Sequence, residues 1–199
     1  TLILRGPLTG SPTVPDENVF FHLEKMLEQA GDQLLRNQES DGNIPPIIRT
    51  LSGRQKGVDF IRLALVGLSL AAYGQATRQA KYLEAAEKTL RYVARYVLGE
   101  SLLFPTETRC LSLYYGIQGQ LALGERQGVE RIFDTAVPTD CDDTHLSMIA
   151  RLQRATTLAL LVDGHHPEYL DQARAITKRS LAELVEKKKT KEEIILVNY

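Results

Sequence analysis

The feature that most constrains this chain is an alternation: helical segments polar on one side take turns with segments apolar almost all round. Residues 16–39 place Phe20, Leu23, Leu27, Ala30 and Leu34 at three- and four-residue spacing, with Asp16 as a candidate N-cap. Residues 58–74 are apolar nearly all round, from Val58 and Phe60 through Leu70, as expected of a helix buried on every side. Residues 79–98 are two-sided again, with Tyr82, Leu83, Ala86, Leu90 and Val93 opposed by Lys81, Glu84, Lys88 and Arg91. The alternation continues through 107–124 (apolar), 127–137 (two-sided), 144–162 (apolar) and 167–187 (two-sided). Half-polar helices belong outside and apolar ones inside, which predicts an all-α fold of about seven helices in antiparallel hairpins, in an inner and an outer layer. Tyr82-Leu83-x-x-Ala86 and Tyr169-Leu170-x-x-Ala173 occupy equivalent hairpin positions, the mark of a helical array.

The ends read differently. Residues 1–15 carry three prolines and two glycines and form an extended segment. The helical domain spans 16–187, and 188–199 is a tail or the start of a following segment. Thr1–Arg5 and Ile194–Tyr199 are candidate short strands, because β-branched and apolar residues crowd there.

The layering also sorts the loops. Gly74–Arg78, Gly124–Gln127 and Asp163–Pro167 are short, whereas Gln38–Gly57, Gly99–Thr106 and Pro138–Asp143 are longer. In a regular array the longer links share one face with the N-termini of the apolar helices, and long loops on a rigid scaffold are where sites gather.

On that face stands Pro138-Thr139-Asp140-Cys141-Asp142-Asp143-Thr144-His145. The D-x-D-D-T string resembles the acid motif of class II terpene cyclases of the squalene–hopene cyclase type. The resemblance implies Asp142 as proton donor, with Asp140 and Asp143 supporting it. Clustered carboxyls in a dry pocket cannot all ionise cheaply, so one keeps a proton to give. Leu34-Leu35-x-x-Gln38-x-x-Asp41-Gly42 is similar to the QW repeat of the same superfamily, with Ile44 where the tryptophan would stand. Together the two matches imply a partial α/α toroid.

Two other readings of the acid string stay open. Asp142, Asp143 or Thr144 could simply cap the following helix. A metal reading would use Asp140, Asp142 and His145, but their spacing fits no strong ligand pattern, so neither metal nor cofactor is expected. Further candidates for substrate contact are Glu107 and Arg109 at the start of the fourth helix, His145, and Arg49 and Arg54 in the first long link. The chain departs from the cyclase pattern in having no tryptophan and 7% aromatics, and in offering about half the helices of a full toroid. Phe60, Tyr73, Phe104, Tyr114 and Tyr115 are the aromatics nearest the inner helices.

Composition narrows the partners. A net charge of −1 gives no basic field for nucleic acid. No apolar run reaches the roughly 18 residues of a bilayer span. Two cysteines suggest reduced thiols and a cytoplasmic setting, although the chain opens at Thr1 without methionine. Two functional classes follow: a domain that binds or processes a small molecule (isoprenoid or sugar), or a non-catalytic scaffold completed by a companion domain or a second copy. Whether it is an enzyme stays open.

Overall fold

Periodicity becomes six helices in the computed structural model, which describes residues 17–45, 59–99, 105–126, 128–129, 133, 141, 146–162 and 166–197, with side chains from 21 to 186. They are α1 (Glu17–Asn37), α2 (Phe60–Thr77), α3 (Ala80–Gly99), α4 (Thr106–Ala122), α5 (Met148–Leu161) and α6 (Glu168–Val197). Among the described residues there is no strand. The expected strand at the C-terminal end is instead helix, since α6 runs through Val197. Thr1–Arg5, the candidate cap Asp16 and most of the expected 127–137 helix lie outside the described residues, although Val129 and Phe133 are buried.

The chain divides into two compact units, Thr1–Arg36 and Asn37–Tyr199. The first is essentially α1, where Arg36 Nη2 donates to Gln33 Oε1 at 2.9 Å and every residue from 21 to 30 is exposed.

In the second unit α2 packs on α3 and α4, α3 also touches α4, α4 touches α5, and α5 pairs with α6. The contacts fix directions. Phe60 stacks on Tyr92 and Tyr73 meets Tyr82, so α2 and α3 are antiparallel. Ile61 packs near Leu111 and Tyr114, and Leu68 lies beside Gly119, so α2 and α4 are parallel. Leu146 and Ala150 join the Cys110–Tyr114 cluster while Gln118 reaches Thr157, so α4 and α5 are parallel too. The three apolar helices thus start on one face, as the hairpin pattern requires.

They are not covered all round. On α2, Leu65, Ser69, Ala72 and Ala76 form an exposed stripe, and α5 exposes Ile149, Thr156, Ala159 and Leu160. By length and composition α2 could cross a membrane (mean hydropathy 1.2 over 18 residues), and 39% of it is buried inside the protein, including Leu63, Ala64, Gly67, Leu70 and Ala71.

Leu90 shows how tightly the first three helices of this unit mesh. A Cβ added at Gly67 of α2 would sit 2.7 Å from its side chain, and one at Gly119 of α4 would sit 2.8 Å away. Gln118, which is 7% exposed, spans the next interface, with Nε2 donating to Thr157 Oγ1 at 3.0 Å and Gln153 Oε1 at 3.1 Å. Arg151 makes a two-pronged ion pair with Glu183 that ties α5 to α6.

Tyr92 yields a pH prediction. Burial, then Tyr96, Asp41 and Glu39, raise its hydroxyl above the ordinary 10.0. The unfolded chain therefore ionises this tyrosine first, so its contribution to stability is intact below pH 10.0 and is lost as pH climbs through the folded value. Tyr92→Phe should flatten the loss of stability as pH rises above 10.0 in urea titrations. An unchanged slope would mean that the ring is solvated.

Candidate functional site

The link that follows α1 is an anchored element. Gln38 Nε2 donates to the Ala85 carbonyl at 2.7 Å and to Thr89 Oγ1 at 2.8 Å. Thr89 Oγ1 donates in turn to the Gly42 carbonyl at 3.0 Å. Gly42 has φ +98° and lies flat on α3, where an added Cβ would be 2.2 Å from the Lys88 carbonyl oxygen. Ile44 is 1% exposed, and its carbonyl accepts from Arg62 Nη2. The Gln–Gly string that resembles a QW repeat is therefore a clasp that closes the link onto α3 and the start of α2.

The acid string is reached through its one described member. Cys141 is bonded to Cys110 in the second turn of α4, with the Cα atoms 5.9 Å apart. The two thiols are thus paired, against the expectation of reduced cysteines. Arg154 Nη1 of α5 donates to the Cys141 carbonyl at 3.1 Å, so residue 141 is held by both inner helices. Both cysteines are buried among Leu111, Tyr114, Leu146 and Ala150. Asp140, Asp142, Asp143 and His145 lie outside the described residues, as do Arg49 and Arg54. In sequence, however, Cys141 stands between Asp140 and Asp142.

The capping explanation of the string is corrected. Helix α5 begins at Met148, and its N-cap is Ser147, whose side chain accepts from the Ala150 N–H at 3.3 Å. Asp142, Asp143 and Thr144 do not hold that position. Glu107 is exposed in the first turn of α4, as expected of an acid at a positive helix pole. Arg109 is half-buried, and its Nε has no hydrogen-bond partner among the described residues. The disulfide thus brings the string's cysteine one turn from Glu107 and next to Arg109.

The aromatics offered for carbocation chemistry are largely spent on packing. Phe60 stacks on Tyr92 and tilts against Tyr96, Tyr73 meets Tyr82 edge-on, and Tyr114 is fully buried. Tyr115 is partly buried beside the disulfide, and Phe104 lies outside the described residues. Among the described residues no three His, Cys, Asp or Glu side chains gather as metal ligands.

Two hollows stand out. One, of about 40 Å³, sits between Val93 and Val97 of α3 and Leu113, Gly116 and Ile117 of α4. It has room for a few atoms only. The other is an open groove of about 740 Å³ along the α5–α6 hairpin. Sequence reading missed this groove, because Leu170, Leu181 and Leu184 scan as the covered face of an amphipathic helix. In fact all three are exposed.

Comparison with protein-family models, curated proteins and solved structures finds no match to this chain.

Proposed function

We propose that this chain is a non-catalytic helical interaction module whose docking face is the α5–α6 groove. One observation carries the reading: the α5–α6 hairpin leaves Leu152, Ala155, Leu170 and Leu181 along an open trough. A contiguous apolar patch on a folded surface marks a place where something docks. The disulfide favours an oxidising compartment over a cytoplasmic one. The test uses Leu152→Asp/Leu181→Asp, with circular dichroism to check the fold. In native extracts of its own cells the wild-type chain should migrate above single-chain mass and the variant at it. Identical migration of the two would remove the reading.

The Cys110–Cys141 bond favours a second reading, in which the acid string serves a small-molecule site of the terpene-cyclase-like kind, for an isoprenoid or a sugar. Asp142 is then the proton donor, Asp140 and Asp143 tune it, and Glu107 and Arg109 contact the substrate. A toroid arrangement of the helices belongs to this proposal. Asp142→Asn is expected to leave the melting temperature within about 1 °C, because Ser147 caps α5. It should abolish any thermal shift that isoprenoid alcohols or oligosaccharides give the wild type. A matching shift in the variant would exclude Asp142 from the site.

A further inference from the structure

Each of the two compact units carries an apolar face. Helix α1 exposes Phe21 (63%), Leu23 (50%), Met26 (64%) and Leu27 (58%), although most helical stability in proteins comes from packing an amphipathic face. The α5–α6 groove is the other, with Leu170 and Leu181 exposed along it. We infer that α1 of one copy of this chain seats in the α5–α6 groove of a second copy. The inference rests on reading that groove as a docking face, and it names the occupant.

The dimensions agree. The apolar stripe of α1 runs from Leu23 through Leu27 and Ala30 to Leu34, and the α6 wall of the groove runs from Leu170 to Leu181. Each covers about three helical turns, about 17 Å. The charges agree as well. Glu24 and Glu28 stand one turn apart beside the α1 stripe, and Arg174 and Lys178 stand one turn apart in the groove wall. Two helices lying side by side therefore bring both acids to both bases in one register. Arg174 already leans on Asp171 of its own helix at 3.5 Å, but both side chains are largely exposed, so that pair holds it weakly. Reciprocal exchange of α1 closes a two-fold dimer with two such seats.

The experiment is sedimentation of the purified chain between about 1 and 100 µM, where the wild type is expected at twice the chain mass. Leu27→Asp spoils α1 and Leu181→Asp spoils the groove. Each should weaken the dimer on the order of tenfold or more, and both positions are exposed, so folding is retained. An equimolar mixture of the two should re-form dimers, because one of the two seats is then intact. Charge reversal gives a second route: Glu24→Lys/Glu28→Lys and Arg174→Glu/Lys178→Glu should each dissociate, and together they should reassociate. A wild type that is monomeric throughout, or mixtures that stay monomeric, would overturn the inference. If purified chains are monomeric while the groove variant still loses a larger complex in extracts, the docking face stands and only its occupant is wrong.

Discussion

Gly42→Ala is expected to lower the melting temperature by about 10 °C. The position combines φ +98° with an approach so close that a Cβ would meet the Lys88 carbonyl oxygen at 2.2 Å and its carbon at 2.5 Å. Left-handed backbone strain on a side chain costs about 1–3 kcal/mol. A methyl group pressed into backbone cannot be relieved by a rotamer change, so the link must lift off α3. The Thr89 bond to the Gly42 carbonyl and the two bonds from Gln38 lengthen with it, each worth about 1 kcal/mol. Because those bonds lengthen rather than break, the total comes to about 3–4 kcal/mol, and each kcal/mol moves the midpoint by roughly 2–4 °C in a chain of this size. Gly116→Ala is the matched control. It lies within α4 with nothing inside 4 Å of the added atom, so there alanine should raise stability by about 0.5–1 kcal/mol. Calorimetry that shows the two substitutions shifting the midpoint alike would mean that the clasp does not form.

The second large effect is loss of the Cys110–Cys141 bond. The cross-link spans 31 residues of sequence, and closing a loop of that length removes about 4 kcal/mol of chain entropy from the unfolded state. Cys110→Ala/Cys141→Ala should therefore melt about 8–15 °C lower than wild type. Because the two residues are 0% and 1% exposed, reductant added to the folded protein should act slowly and only through local opening. Thiol titration in denaturant offers an independent check, with no free thiol expected before reduction and two after it. Two free thiols in the unreduced protein would remove the bond and the clamp it puts on residue 141.

Much of the architecture is legible from periodicity. The spans 58–74, 79–98 and 107–124 fall within three residues of α2, α3 and α4 at each end, because recurring apolar residues on every turn fix a buried face whatever the partner. The common face of the inner N-termini follows from the hairpin alternation. Ends are harder. Asp142, Asp143 and Thr144 all suit a cap, but Ser147 holds that role, and periodicity does not choose among cap formers in a row. Ile194, Ile195 and Val197 read as strand from their branching, yet α6 continues through them, since intrinsic propensity is a weak force beside an established helix. The disulfide is hidden by counting: two cysteines make no framework. A better signal lies in the hairpin pattern, which puts Cys110 near the start of one inner helix and Cys141 in the link leading to the next, on the same face. The groove is invisible for a different reason. An amphipathic pattern says which face wants cover, and it is silent on whether the same chain supplies that cover.

The Leu90 wedge has a mechanical consequence. Its branched tip is gripped by Gly67 from one side and by Gly119 from the other. A slide of one residue, about 1.5 Å along the axis, would drive it against the flanking side chains of both neighbours. The first hairpin and α4 therefore translate together like a key seated in two wards. A pull along α3 is passed straight into α4, and the remaining give in the array lies further along, where amide and hydroxyl groups rather than an interlocked side chain set the spacing.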